Sequence, residues 1–177
     1  MRIIITILFF LPILSYSDNP ERIHDLSNHL KGLDPFIGKT FKGIFSNSTS
    51  EKPNIDVKHW DRALNGNAVR ITHSVNNGEY GGERLILWDP EQESLISWYF
   101  STAGIISNSV VEIEKNKLIS IEDVSNNDNG ILKIKTIYFL TKSGNLMYKI
   151  KYLMNNIWVD GYEMIYEVDS KAEIIFK

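Results

Sequence analysis

The feature that most constrains this chain is its punctuation. From Phe36 onward, apolar and polar residues alternate with a period of two, and turn-forming residues cut the alternation at short intervals. Such a pattern puts successive side chains on opposite faces of extended backbone, so it predicts strands rather than helices. The strands it predicts are 40–47, 56–64, 68–76, 82–89, 94–102, 105–114, 117–125, 131–141, 146–154 and 157–168. Asn65-Gly66 and Asn77-Gly78 carry the residue types that two-residue hairpin turns need. Asp89-Pro90-Glu91, Asn127 to Gly130, Ser143-Gly144-Asn145 and Asn155-Asn156 are further turn signals.

No helix-length pattern separates these runs, which excludes parallel β–α units and leaves an antiparallel meander. An open meander of about ten strands would expose two edges and one apolar face. Closure into an up-and-down barrel removes both problems, and we prefer it to a two-sheet sandwich. The expected fold class is therefore all-β, an up-and-down antiparallel barrel. Barrels of about eight strands or more can enclose a small ligand.

The N-terminus has a different character. Met1-Arg2 is a short positive segment, residues 3–14 are almost wholly apolar, and Ser15-Tyr16-Ser17 offers small residues before Asp18. This predicts a secretory signal peptide over 1–17, because a membrane-spanning helix needs about 20 apolar residues. The remaining 18–177 is expected to be one domain, periplasmic or secreted, with no stable membrane span after cleavage. The chain contains no cysteine, so neither disulfides nor thiolate chemistry can contribute. Its net charge is −3, and its Lys and Arg residues are scattered, so nucleic acid is not an expected partner.

Residues 20–32 predict a short helix, with Asn19 as cap, Pro20 at the first position and Gly32 at the exit. Ile23, Leu26 and Leu30 form one stripe that would lie on the core or plug one end of the barrel. The segment 46–54, polar and containing Pro53, is a loop expected near a barrel mouth.

Candidate functional residues gather in HWDRALNGNAVRITHSVNNGEYGGE, residues 59–83. In 68–76, Val69, Ile71, His73 and Val75 share a face, which makes His73 the one polar group on an apolar wall. It is either a hydrogen-bonded core histidine or a ligand-contacting imidazole. In 56–64 neither face is clean, and Trp60 with Arg62 could stack as a cation–aromatic pair. His59 lies one residue out of step with His73 across the turn, so a one-residue bulge would make them neighbours. With Glu83 the two imidazoles could bind a metal, but the spacing of a zinc site is missing and no metal is expected.

Tyr80-Gly81-Gly82-Glu83 suggests a bulge or a close backbone approach that aims Tyr80 and Glu83 at a rim or a site. Trp98 and Phe100 alternate with Ser97 and Tyr99, so one side can form core and the other a lined cavity. Tyr148 and Tyr152 share a face with Leu146, Ile150 and Met154. An interior rich in Tyr, Met, Leu and Ile suits a mainly apolar ligand oriented by a few hydroxyls. The ligand-contacting candidates are thus His73, His59, Tyr80, Glu83, Tyr99, Tyr148 and Tyr152. No serine-nucleophile elbow, Gly-rich phosphate loop or paired-Cys site is present, and no cofactor is expected.

LDPFIGKTFKG (33–43), WDRALNGNAVRITHSVNNGEYGGE and LILWDPEQESLISWYFSTAG together resemble the lipocalin-like, calycin-type barrels of exported bacterial proteins. The resemblance implies an up-and-down barrel of about ten strands with a short N-terminal helix. Related barrels often open with Gly-x-Trp, and here Phe41 stands in place of the Trp, one residue further along. Haem-binding nitrobindins are similar barrels that use a His near the C-terminus, and this chain has none after His73.

The function expected from these residues is binding of a small, largely apolar molecule. One alternative is a small-molecule isomerase or hydrolase using His73, Glu83 and Tyr80 as an acid–base set. It requires those three groups to converge. Another is a structural or interaction module with a filled barrel.

Overall fold

The computed structural model describes residues 25–125 and 127–177. Ten strands follow one another: β1 (Thr40–Ile44), β2 (Ile55–Ala63), β3 (Ala68–Val75), β4 (Tyr80–Asp89), β5 (Ser94–Ser101), β6 (Ile106–Glu114), β7 (Lys117–Asp123), β8 (Ile131–Leu140), β9 (Leu146–Met154) and β10 (Ile157–Val168). Each pairs antiparallel with the next, and β10 returns to β1 through Phe41↔Val168 to Gly43↔Tyr166, so the sheet is a closed barrel. Every predicted strand is present. β1 is shorter than expected because the chain turns away just after Phe45: Phe45 N–H still bonds Asn54 O at 3.0 Å, but Ser48 N–H bonds back to Phe45 O at 2.9 Å.

The hairpins carry a correction. β2 and β3 end at Ala63↔Ala68, and β3 and β4 at Val75↔Tyr80. Asn65-Gly66 and Asn77-Gly78 therefore lie inside four-residue loops, not two-residue turns. Each loop has three successive left-handed residues: Leu64, Asn65 and Gly66 at φ 47°, 55° and 89°, and Asn76, Asn77 and Gly78 at 49°, 56° and 89°. Asn and Gly tolerate that region best. The first loop is held by the N-terminal segment, where Ser27 N–H donates to Gly66 O at 2.9 Å. Asn155-Asn156 does form the expected two-residue turn, with both φ positive.

Of the predicted helix over 20–32, residues 20–24 lie outside those described. The described part begins as irregular chain and turn, and Gly32 falls within a 3-10 helix over Lys31–Phe36 rather than at a helix exit. The apolar stripe nevertheless plugs the barrel. Leu26, Leu30, Leu33 and Phe36 are buried against Phe41, Trp60, Val69, Ile86, Leu118 and Leu146. Phe36 stacks on Trp60 at 4.7 Å between ring centroids. His29 stacks on Trp88 at 3.8 Å, so it is a packing residue at the plug's edge. Among the described residues no helix is long and apolar enough to cross a membrane.

The core thus fills one end of the barrel. The other end is lined by Phe45, just after β1, and by Asn54 of the 46–54 loop, and it is hollow.

Candidate functional site

β2 brings an aspartate and a lysine inside. Burial alternates along this strand so that Asp56, Lys58 and Trp60 all face the interior. Asp56 and Lys58 are in phase with a tryptophan that must be buried, and packing of Trp60 carries the two charges inward with it. Two buried charges are tolerable only if they are paired and hydrogen-bonded. Lys58 Nζ lies 2.7 Å from Asp56 Oδ2, and their side chains are 8% and 4% exposed. Tyr166 Oη donates to the same Oδ2 at 2.8 Å, and His73 Nδ1 lies 3.1 Å from Oδ1.

The imidazole extends this network. His73 Nε2 lies 2.9 Å from Tyr99 Oη, which lies 2.9 Å from Tyr80 Oη. Ionised Asp56 can only accept, so Nδ1 carries the proton and donates to it. With neutral imidazole, Nε2 must then accept from Tyr99, and Tyr99 from Tyr80. The result is a directed chain from Tyr80 through Tyr99 and His73 to Asp56.

Electrostatics support these protonation states. Burial pushes the Asp56 carboxyl up, but the Lys58 ammonium and the His73 hydrogen bond together hold it at about 2. Burial pulls Lys58 down, and the Asp56 carboxylate reverses this, so the ammonium is held above its ordinary value. Burial lowers the His73 pKa and the charge of Lys58 adds to it, against the opposing pull of Asp56. Burial raises the Tyr99 phenol, assisted by its hydrogen bond with Tyr80. Asp56 and Lys58 are charged at neutral pH, and His73 and Tyr99 are neutral.

Two glycines make room for the tyrosines. A Cβ on Gly82 would stand 2.5 Å from Tyr99 Oη and 2.6 Å from Phe100 O. One on Gly43 would stand 2.7 Å from the Tyr166 ring. The register of β3 with β4 runs through Gly81 and Gly82 unbroken, and that of β4 with β5 starts at Gly82↔Ser101 without a shift, so of the two expected alternatives the bulge is absent. The glycines serve close approach instead. Bulges occur in β10 between Asp160 and Glu163 and in β8 between Ile131 and Lys133.

The network forms one wall of a cavity of about 560 Å3. Ile71, Ile134, Ile150 and the rings of Tyr138, Tyr148 and Tyr162 form most of the rest. Arg84, from the inner face of β4, also enters it.

Of the sequence candidates, His73, Tyr80, Tyr99 and Tyr148 meet in this cavity. His59 does not, because β2 and β3 pair without a bulge. Lys58 stands opposite His73, and His59 opposite Thr72 on the outer face. There His59 bonds Thr40 Oγ1 at 2.7 Å and Asp61 Oδ1 at 2.9 Å. Glu83 is also outside, opposite Thr72 and Phe100. His59, His73 and Glu83 therefore cannot share a metal, and His73 and Glu83 cannot act together. Tyr152 is in phase with Tyr148 but lies further along β9, beyond the cavity-lining residues. Trp60 and Arg62 do not stack; Trp60 packs on Phe36 and Tyr138, and Arg62 Nε donates to Asp25 O at 3.2 Å. Ser97 and Tyr99 face inward, whereas Trp98 and Phe100 face solvent and stack on each other at 6.5 Å.

Four inward residues were missed: Asp56, Lys58, Arg84 and Tyr166. The signal for three of them was phase, since Asp56 and Lys58 are in phase with Trp60, and Arg84 with Tyr80 and Ile86. Compared with protein-family models and with curated proteins, the chain matches none.

Proposed function

We propose that this protein is an exported, calycin-like barrel that binds one small molecule, with a largely apolar body and a polar end, in its open half. The observation that carries this reading is the cavity of about 560 Å3 inside a barrel plugged at its other end. That size lies within the range of small-molecule sites, as does a mainly apolar lining with a few convergent polar groups. The isoleucines and tyrosine ring faces suit the apolar body. The His73–Tyr99–Tyr80 chain offers hydroxyls to the polar end.

Export rests on the signal-like segment 1–17. N-terminal sequencing of the protein recovered from its host tests it, and an intact Met1 in the cell interior would overturn it. Binding is tested by native mass spectrometry of the purified protein before and after organic extraction. The expected result is loss of a small adduct and its return on adding back the extract. A crystal structure with the open half packed solid would overturn the reading.

A second reading follows from one specific feature, the directed Asp56–His73–Tyr99–Tyr80 chain beside a cavity. It is the arrangement of a general base oriented by a carboxylate. The carboxylate beside His73 is Asp56, not the Glu83 of the expected acid–base set. Under this reading, His73→Gln abolishes turnover of a substrate that the variant still binds.

A further inference from the structure

The charges that line the cavity are Asp56, Lys58, Arg84 and Glu122, and they are not treated alike. Asp56 and Lys58 neutralise each other at 2.7 Å. Glu122 Oε2 accepts from Ser107 Oγ at 3.0 Å. Arg84 has no carboxylate of any described residue within 4.0 Å.

The guanidinium is nonetheless held firmly. Its Nη1 donates to Ser97 Oγ at 2.7 Å and to Ser109 Oγ at 3.2 Å, and those two hydroxyls lie 2.7 Å apart. Ser97 is fully buried and Ser109 nearly so. Its Cζ lies 5.6 Å from the centre of the Tyr99 ring. Nε and Nη2 have no hydrogen-bond partner among the described residues, and neither is sealed from the cavity. A fixed fork with two spare donors facing an apolar-walled cavity is built to receive a planar, two-oxygen anion.

Resting on the ligand-binding reading above, we propose that Arg84 anchors the ligand's polar end and that this end is a carboxylate. A single negative charge fits because only one cation is left unneutralised. A doubly charged phosphate monoester would lack a second cation, and the cavity lining also carries the Glu122 carboxylate. The apolar body then extends from Arg84 over Ile134 and Ile150 toward the open mouth. Tyr99 links this anchor to the His73 network, since its ring lies by the guanidinium and its hydroxyl on the imidazole.

The test uses decanoate, decan-1-ol and decyl phosphate as probes, titrated by calorimetry into the delipidated full-length protein. Decanoate is expected to bind roughly ten- to a hundredfold more tightly than decan-1-ol, the range for hydrogen bonds to a charged group. Arg84→Gln is expected to remove that preference while leaving decan-1-ol unchanged. Arg84→Lys, which keeps the charge and loses the fork, is expected to fall between. Glu122→Gln, which leaves Arg84 in place, is expected to tighten decanoate and decyl phosphate and to leave decan-1-ol unchanged.

Equal binding of acid and alcohol by the unaltered protein would overturn the carboxylate assignment and leave the barrel reading standing. So would a preference that survives Arg84→Gln, or tighter binding of decyl phosphate than of decanoate. Failure of all three probes to bind would overturn the ligand-binding reading itself. Should Arg84→Gln not fold, the Glu122→Gln response and the acid-to-alcohol ratio still decide the matter.

Discussion

Lys58 stands directly opposite His73 across β2 and β3, and a single carboxylate, Asp56, binds both. The two bases compete for one anion, and the shorter contact goes to the lysine. Lys58 therefore keeps its proton, and its charge discourages a second proton on the imidazole. The fold spends a buried ion pair to hold a histidine neutral beside a cavity.

Asp56→Asn should destabilise the protein by about 3–5 kcal/mol, because it strands the Lys58 ammonium in a buried site. Lys58→Met in the same chain should restore part of that loss, since both charges are then gone. Urea denaturation of the two single variants and the double variant measures the coupling. A loss under about 1 kcal/mol for Asp56→Asn would show the pair to be solvated.

Stability should form a plateau with three edges. Asp56 is depressed to about 2, so its contribution is present above the ordinary carboxylate range and is lost as pH falls through 2. On linkage this is worth on the order of 2 kcal/mol. His73 is also depressed, so below about 6.5 the unfolded chain takes up a proton that the folded chain refuses, and stability falls with acid. Lys58 is raised, so its contribution is present below 10.5 and is lost as pH rises through its folded value. Melting temperatures across the pH range should show this shape, and His73→Gln should flatten the slope just below about 6.5.

Gly82→Ala should cost about 1–3 kcal/mol, the range for overpacking. The added methyl meets both the Tyr99 hydroxyl and the backbone oxygen of Phe100, and the backbone cannot step aside. It should also displace Tyr99 from His73, which the imidazole NMR shifts would report. A fully stable variant with unchanged His73 resonances would contradict the tight packing.

The plug and the cavity should be separable by substitution. Leu30, with no exposed surface, should cost about 2–5 kcal/mol as Leu30→Ala and leave the open half intact. Ile150→Trp instead adds volume into the cavity, so it should change stability little and remove ligand binding. Parallel denaturation and binding measurements distinguish the two, and equal effects on both properties would refute the division of the barrel.

All ten strands were legible because alternation and turn chemistry are local. Leu26 and Leu30 were likewise legible as plug residues from their stripe. The errors arose where two signals pulled apart. Asn65-Gly66 reads as a two-residue turn, but Ser27 reaching across to Gly66 accompanies a longer loop. Tyr80-Gly81-Gly82-Glu83 reads as a bulge or a close backbone approach, and the second alternative holds, since its glycines answer to Tyr99 and Phe176 packed against them.

The candidate site divides in the same way. His73 could be placed inside because Val69, Ile71 and Val75 share its face, which is otherwise apolar. On β2, apolarity misleads, since Lys58 and Asp56 look like solvent residues until Trp60 fixes the phase. His59 and Glu83 were drawn toward the site by residue type alone, and an unbroken register turns both outward.

By itself, then, the sequence determined the class, the strand count and the inward position of His73. These depend on periodicity, which each segment carries within itself. Only the tertiary structure decided how Asp56, Lys58, Tyr166 and Arg84 are partnered in the interior. A buried charge is permitted only by its partners, and those partners come from strands far apart in the chain: Asp56 and Tyr166 are 110 residues apart and 2.8 Å from contact to contact. No local pattern records such a meeting, because it exists only once the barrel has closed.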